Sequence, residues 1–408
     1  MLYLWLSLPF LILLLIIALL PTLAPHFWES NRNRAFLVFI LSAPLLIWLI
    51  KHEPLLLQHS LHEYFSFIVL LTSLYVISGG ISLTGDLKAT PSLNTAFLAF
   101  GAILANIIGT TGASMVLIRA FLKTNSERHH THHLPVFFIF IVSNCAGLLT
   151  PLGDPPLFLG YLKGVPFFWT LKLWPMWLLT IGLLLLIFYF WDKKAYKSET
   201  KKDLKKDAQH ILPLRLKGKR HLLILSGIIG GVFLPTPWRE MIMLSLTLLS
   251  LAMGPKVARR ENKFSWAPIL EVAILFAGIF ITMVPAMEFI KNQAPTFGIT
   301  KPWHFFWATG LLSGALDNAP TYLTFFTLAQ GLNLPAEIVG VSENVLKAIS
   351  LGAVFMGANT YIGNGPNFMV RSIADHAGFK TPSFFGYTLY AACILLPIYF
   401  LIHFLFII

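Results

Sequence analysis

Two nine-residue stretches gather the residue types that could do chemistry. The first is Thr150-Pro151-Leu152-Gly153-Asp154-Pro155-Pro156-Leu157-Phe158 and the second is Thr360-Tyr361-Ile362-Gly363-Asn364-Gly365-Pro366-Asn367-Phe368. They share the pattern Thr-x-Leu/Ile-Gly-Asp/Asn-x-Pro-x-Phe and lie 210 residues apart (150 to 360), about half the chain. Each interrupts an apolar segment. Proline removes a backbone donor and clashes with the preceding turn, so a helix must break there. In lipid, a broken backbone survives only where it is buried in protein or lines a watery cavity. Such a break can bind a hard cation or exchange a proton. Asp154 offers a carboxylate, Asn364 and Asn367 offer amide oxygens, and Thr150 and Thr360 offer hydroxyls, the oxygen ligands that hard cations prefer. The plainer alternative is that Asp154 caps the helix that resumes after it.

A second pair of stretches repeats at nearly the same spacing. Gly101-Ala102-Ile103-Leu104-Ala105-Asn106 resembles Gly314-Ala315-Leu316-Asp317-Asn318, and Asn106 and Asn318 are 212 residues apart. Gly109-Thr110-Thr111-Gly112-Ala113 follows the first of these, and Ala319-Pro320-Thr321 follows the second. Asp317 is a second intramembrane carboxylate, functional by default because burying a charge in a membrane is costly. Thr110 adds a third hydroxyl. Ser143 and Asn144 precede the first break by less than two turns and are placed to line the same cavity. Glu271, near the start of a span, is a candidate proton relay or an interfacial residue. Glu343 and Lys347 stand at a helical salt-bridge spacing. Arg119 and Arg371 are expected to snorkel to the cytoplasmic edge of the membrane.

The elements that must position these groups are membrane helices. Of 408 residues, 56% are hydrophobic and 12% charged, about half the charge of a soluble domain. The net charge of +12 sits mainly in loops between apolar spans, so topology explains it better than nucleic acid does. Cys145 and Cys393 both lie in apolar segments and form no framework or metal cluster. The stretch 2–24 is too long for a signal-peptide core and reads as a retained span.

Spans of about 20 apolar residues are expected at 2–23, 35–50, 65–83 and 168–191, then at 221–234, 238–253, 269–290 and 384–406. Between them, 94–122 and 305–328 read as re-entrant hairpins, and 136–162 and 345–370 as broken helices. The expected fold is an all-α polytopic membrane protein with a first half at 1–191, a basic linker at 192–220 and a second half at 221–408. Each half crosses the membrane five times. Five is odd, so the second half enters from the opposite face, the inverted repeat common in secondary transporters.

The linker's lysines and arginines place it in the cytoplasm by the positive-inside rule. Loops carrying Arg32, Arg34, Lys88, Lys123, Arg128, Lys256, Arg259, Arg260, Lys263 and Lys380 then share its side. Both termini lie on the other side. The histidines of the cluster from His129 to His133 read as a solvated loop that changes charge near neutral pH, with metal binding as the alternative. No nucleotide-binding motif is evident, which points to an ion gradient as the driving force.

These motifs resemble the ion transporter superfamily, which includes sodium/proton antiporters, arsenite permeases and citrate or dicarboxylate carriers. The resemblance covers most of the chain. Thr150 to Asp154 and Leu316 to Pro320 look most like the antiporter branch. Glu271 to Phe280 looks like a citrate-transport subfamily whose members are often called sodium/proton antiporters. Dicarboxylate carriers of the superfamily place Ser-Asn-Thr at both hairpin tips. Here the tips carry Ala-Asn-Ile-Ile-Gly-Thr-Thr and Asp-Asn-Ala-Pro, and a fixed negative charge repels an anion unless a cation or proton offsets it.

The resemblance therefore implies a sodium/proton antiporter of the bacterial inner membrane rather than an enzyme, with no cofactor and no metal beyond the transported cation. Asp154, Asp317, Asn106, Asn318, Asn364 and Thr360 would form its ion site, with Thr150, Asn144 and Asn367 around it. Sodium and protons are the expected transported or coupling ions. The bilayer is the expected partner, and family members are often homodimers. The alternative is a sodium- or proton-coupled citrate or dicarboxylate carrier, in which Asp154 serves only the coupling ion. A channel or a membrane enzyme needs no paired breaks.

Overall fold

A helix that is apolar on every side sits either inside the protein or against lipid. His133–Ile141 lies inside. All of it is buried in the computed structural model, which describes residues 2–209, 211–254, 256–332 and 335–408. Most of Glu343–Met356 is buried in the same way. These two helices form the centre of the protein. At the periphery, only 28% of the apolar window of Leu2–Pro21 and 22% of that of Asn31–His52 are buried. Their remaining apolar surface suits lipid.

Among the described residues, seven helices are long and apolar enough to cross a membrane. The protein is a polytopic helical membrane protein. One of the seven, Pro91–Thr124, has the length to cross but folds back on itself. Its backbone leaves the helical region at Gly109, where φ is 77° and ψ is 157°. The amides of Asn94 and Asn125 then exchange hydrogen bonds at 2.8 and 3.0 Å, and the rings of Phe97 and Phe121 lie 5.5 Å apart. The two ends of the segment therefore meet, and its tip is buried. A left-handed φ costs other residues energy, so glycine suits the tip.

A second fold-back joins Pro302–Ala315 to Asn318–Gly331, with the Phe305 and Phe325 rings 6.4 Å apart. Both arms of each fold-back run a few residues beyond the expected 94–122 and 305–328.

The expectation of an all-α chain needs one amendment. Ser82–Asp86 (β1) pairs antiparallel with Leu212–Lys217 (β2), so part of the linker is a strand, and Lys201–Gln209 is a short helix.

Three acids of the basic linker turn inward. Asp192, Glu199 and Asp207 are buried. Asp192 pairs with Arg128 at 2.6 Å and lies 2.9 Å from His133 Nε2. Glu199 accepts from the backbone N–H groups of His129 and His130 at 3.1 and 2.8 Å. Asp207 accepts from the Ala89 N–H at 3.1 Å. Lys201, Lys202 and Lys205 remain exposed. The linker is thus tied to the first half through its minority charge. The histidine cluster divides, with His133 buried and His129, His130 and His132 exposed. The described residues hold no group of three or more metal-ligating side chains.

Candidate functional site

The two breaks are built alike. The first broken helix runs His133–Ile141, turns at Cys145–Leu148 and resumes as Pro155–Leu162. The second runs Glu343–Met356, turns at Gly357–Asn359 and resumes as Gly365–His376. The residue ahead of each resumed half is extended, with φ/ψ of −146°/142° at Asp154 and −154°/142° at Asn364. A Cβ on Gly153 would stand 2.3 Å from the Gly147 carbonyl oxygen, and one on Gly363 would stand 2.5 Å from that of Gly357. Only glycine allows so close an approach.

Carbonyls freed by the breaks find donors nearby, as a water-poor interior demands. Trp177 Nε1 donates to Ala146 at 2.9 Å and Thr170 to Leu149 at 2.9 Å. Tyr387 donates to Ala358 at 2.8 Å and Tyr399 to Phe355 at 2.6 Å.

Asp154 occupies the helix-capping position but makes no capping bond with its side chain. Its carboxylate, 1% exposed, turns towards three other elements. Oδ1 accepts from Thr110 Oγ1 at 3.0 Å and Asn364 Nδ2 at 2.9 Å, and Oδ2 accepts from Asn318 Nδ2 at 2.6 Å. These donors belong to the first hairpin, the second broken helix and the second hairpin. A single buried carboxylate therefore joins both hairpins and both breaks.

Hydrogen bonds to an ionised acceptor are strong, yet these three neutral donors cancel no charge. Two amide oxygens nearby, Asn144 Oδ1 and Asn318 Oδ1, are buried without a hydrogen-bond partner, a rare condition in native proteins. Asn144 Oδ1 and Asn318 Nδ2 approach one point beside Gly357, at 3.3 and 3.5 Å.

Other expected site residues brace the breaks and are not brought against Asp154. Asn106 Oδ1 accepts from the Leu149 N–H at 2.8 Å. Thr150 donates to the Asn106 carbonyl at 2.6 Å, and Thr360 donates to that of Gly314 at 2.7 Å. Each threonine ties its break to the hairpin of its own half. Asn367 Nδ2 donates to the Gly357 and Thr360 carbonyls at 3.0 and 2.9 Å, and its Oδ1 accepts from Asn144 Nδ2 at 2.6 Å.

Asp317 differs from Asp154 in being a true cap, with Oδ1 accepting from the Ala319 N–H at 3.0 Å. Both carboxylates line one cavity of about 530 Å³, a size usual for small-ligand sites. Glu271 lines the same cavity and pairs with Arg34 at 3.1 Å. Its charge is thus already matched by a neighbour.

A family model described as "Putative citrate transport" matches residues 1–407. The chain belongs to that family. No curated protein matches the sequence. Family membership and the apolar helices together make this a multi-pass membrane transporter.

The sequence of this citrate-transport family member marks Thr110 only as one of three hydroxyls, but the structure sets it alone of the three on Asp154. Arg119, expected at a membrane edge, lines the cavity, and its Nη1 is buried. Glu343 pairs with Lys172 at 2.6 Å rather than with Lys347.

Proposed function

We propose that this transporter exchanges sodium for protons at a site centred on Asp154, with Asp317 as a second carboxylate on the same cavity. The observation that carries the reading is the buried Asp154 carboxylate beside two unpartnered amide oxygens. The amides of Asn318 and Asn364 turn nitrogen towards the carboxylate. With sodium present, a half-turn of Asn318 brings its oxygen inward, so that the ion meets a carboxylate and an amide oxygen. A proton on Asp154 removes the charge that holds the ion. The two cargoes therefore exclude each other, which is the requirement for exchange. The hairpins and broken helices move against the outer helices to expose the site alternately, the usual arrangement in transporters with broken helices. The reading sets the linker in the cytoplasm of a bacterial cell, on the positive-inside rule.

The family description favours a second reading, a cation-coupled carrier of citrate in which Asp154 holds only the coupling ion. Both readings are tested in proteoliposomes loaded with a pH-sensitive dye. A sodium gradient alone should drive proton movement, and Asp154→Asn should abolish it. Normal exchange by that variant would sink the assignment. Silence with sodium alone, but proton movement and labelled citrate uptake when citrate is added, would select the carrier.

A further inference from the structure

Asp154 and Asp317 account for the acidic part of the cavity and leave its basic part unexplained. Arg119 lines that cavity from the second arm of the first hairpin. It follows Thr110 by nine residues (110 to 119), about 14 Å along a helix. Among the described residues it makes no ion pair or hydrogen bond, and its Nη1 is buried without a partner.

Other arginines and lysines in similar places do find acids. Arg34 meets Glu271 at 3.1 Å, Arg128 meets Asp192 at 2.6 Å, Arg239 meets Glu240 at 2.7 Å, and Lys163 meets Glu63 at 2.7 Å. A guanidinium in a membrane protein is costly unless something answers its charge. Lys263 lines the same cavity from a loop of the second half. The Asn262 amide beside it is already engaged by the Gly79 and Ile81 carbonyls at 3.0 and 2.6 Å, and Arg34 is engaged by Glu271. Arg119 and Lys263 are thus the cavity's available cations. Guanidinium matches a carboxylate with two parallel bonds.

We propose that Arg119, with Lys263 on the same cavity, binds a carboxylate of a di- or tricarboxylate anion such as citrate. The anion rests apart from Asp154 and Asp317, which avoids the repulsion that a shared site would impose. This inference rests on the carrier reading and adds to it a recognition residue.

The test is thermal unfolding of the full-length purified protein in detergent, titrated separately with sodium chloride and with potassium citrate. Citrate should raise the melting temperature of the wild type. Arg119→Gln should need at least tenfold more citrate for the same shift, and Lys263→Gln severalfold more. A cooperative melting transition in each variant without ligand reports that it is folded. If Arg119→Gln does not fold, Lys263→Gln, at an exposed position, decides alone. An unchanged citrate midpoint in every variant that folds overturns the inference. A wild type that responds to sodium but not to citrate also overturns it and leaves the exchanger reading standing. A wild type indifferent to sodium but responsive to citrate through Arg119 supports the inference and counts against the sodium site.

Discussion

Asn364 Nδ2 donates to Asp154 Oδ1 at 2.9 Å, and the two residues hold matching places in stretches 210 residues apart (154 to 364). Each is the extended residue ahead of a resumed helix, so the two breaks touch through their equivalent positions. Only one of the pair is charged. Asn364→Ala should remove this bond and the one to the Ser143 carbonyl at 3.2 Å. Asp154 Oδ1 keeps the Thr110 hydroxyl, and a lost hydrogen bond to a charged group costs about 1.5–3 kcal/mol. The expected result is a lower melting temperature and a weaker stabilising effect of sodium. Thermal unfolding with and without sodium measures both, and an unchanged sodium effect would remove Asn364 from the ion site.

Asp317 combines a cap with a charge, and substitution can separate them. Asparagine and aspartate are nearly equal as N-caps. Asp317→Asn should therefore keep the cap and melt close to the wild type, while losing most sodium-driven proton flux. Asp317→Ala should lose flux and also about 1 kcal/mol of stability with the cap. Full flux in Asp317→Asn would reduce Asp317 to a capping residue.

Asp154, Asn318 and Asn364 were legible in the sequence for a physical reason. Carboxylate and amide groups in broken apolar segments must be satisfied inside the protein, so they converge. Thr110 was less legible because a threonine hydroxyl can bond its own helix, as Thr282 does to the Gly278 carbonyl at 2.8 Å. Composition hid the linker's order altogether. Whether Glu199 turns inward depends on the N–H groups of His129 and His130, about 70 residues away in the chain, and no local period encodes that. That Arg119 lines the cavity was not legible, because an arginine near the end of an apolar arm has the same local sequence whether or not a cavity reaches it.

The glycine pairs set the shape of the breaks, and adding one methyl group tests this. Gly153→Ala brings a Cβ to 2.3 Å from the Gly147 oxygen, and Gly363→Ala brings one to 2.5 Å from that of Gly357. Neither neighbour is a flexible side chain. Overpacking of this kind typically costs about 1–3 kcal/mol. Both variants should melt early and lose transport together. At Gly182, where a Cβ meets nothing within 4 Å, alanine should leave transport intact. Normal melting of Gly153→Ala would mean that the break is looser than its close contact implies.

Arg128 holds the linker to the first half, and its removal should be far more damaging than the loss of linker lysines. Its side chain is 1% exposed and sits between Asp192 at 2.6 Å and Glu199 at 3.7 Å, both of whose side chains are fully buried. Arg128→Ala strands two buried carboxylates. Breaking a buried ion pair from one side costs about 3–5 kcal/mol. Lys201→Ala and Lys202→Ala alter exposed positions and should stay within about 0.5 kcal/mol of the wild type. Melting temperatures in detergent compare the three variants directly. If Arg128→Ala matches the lysine variants, the buried acids of the linker do not depend on this arginine, and the linker is held by its backbone contacts instead.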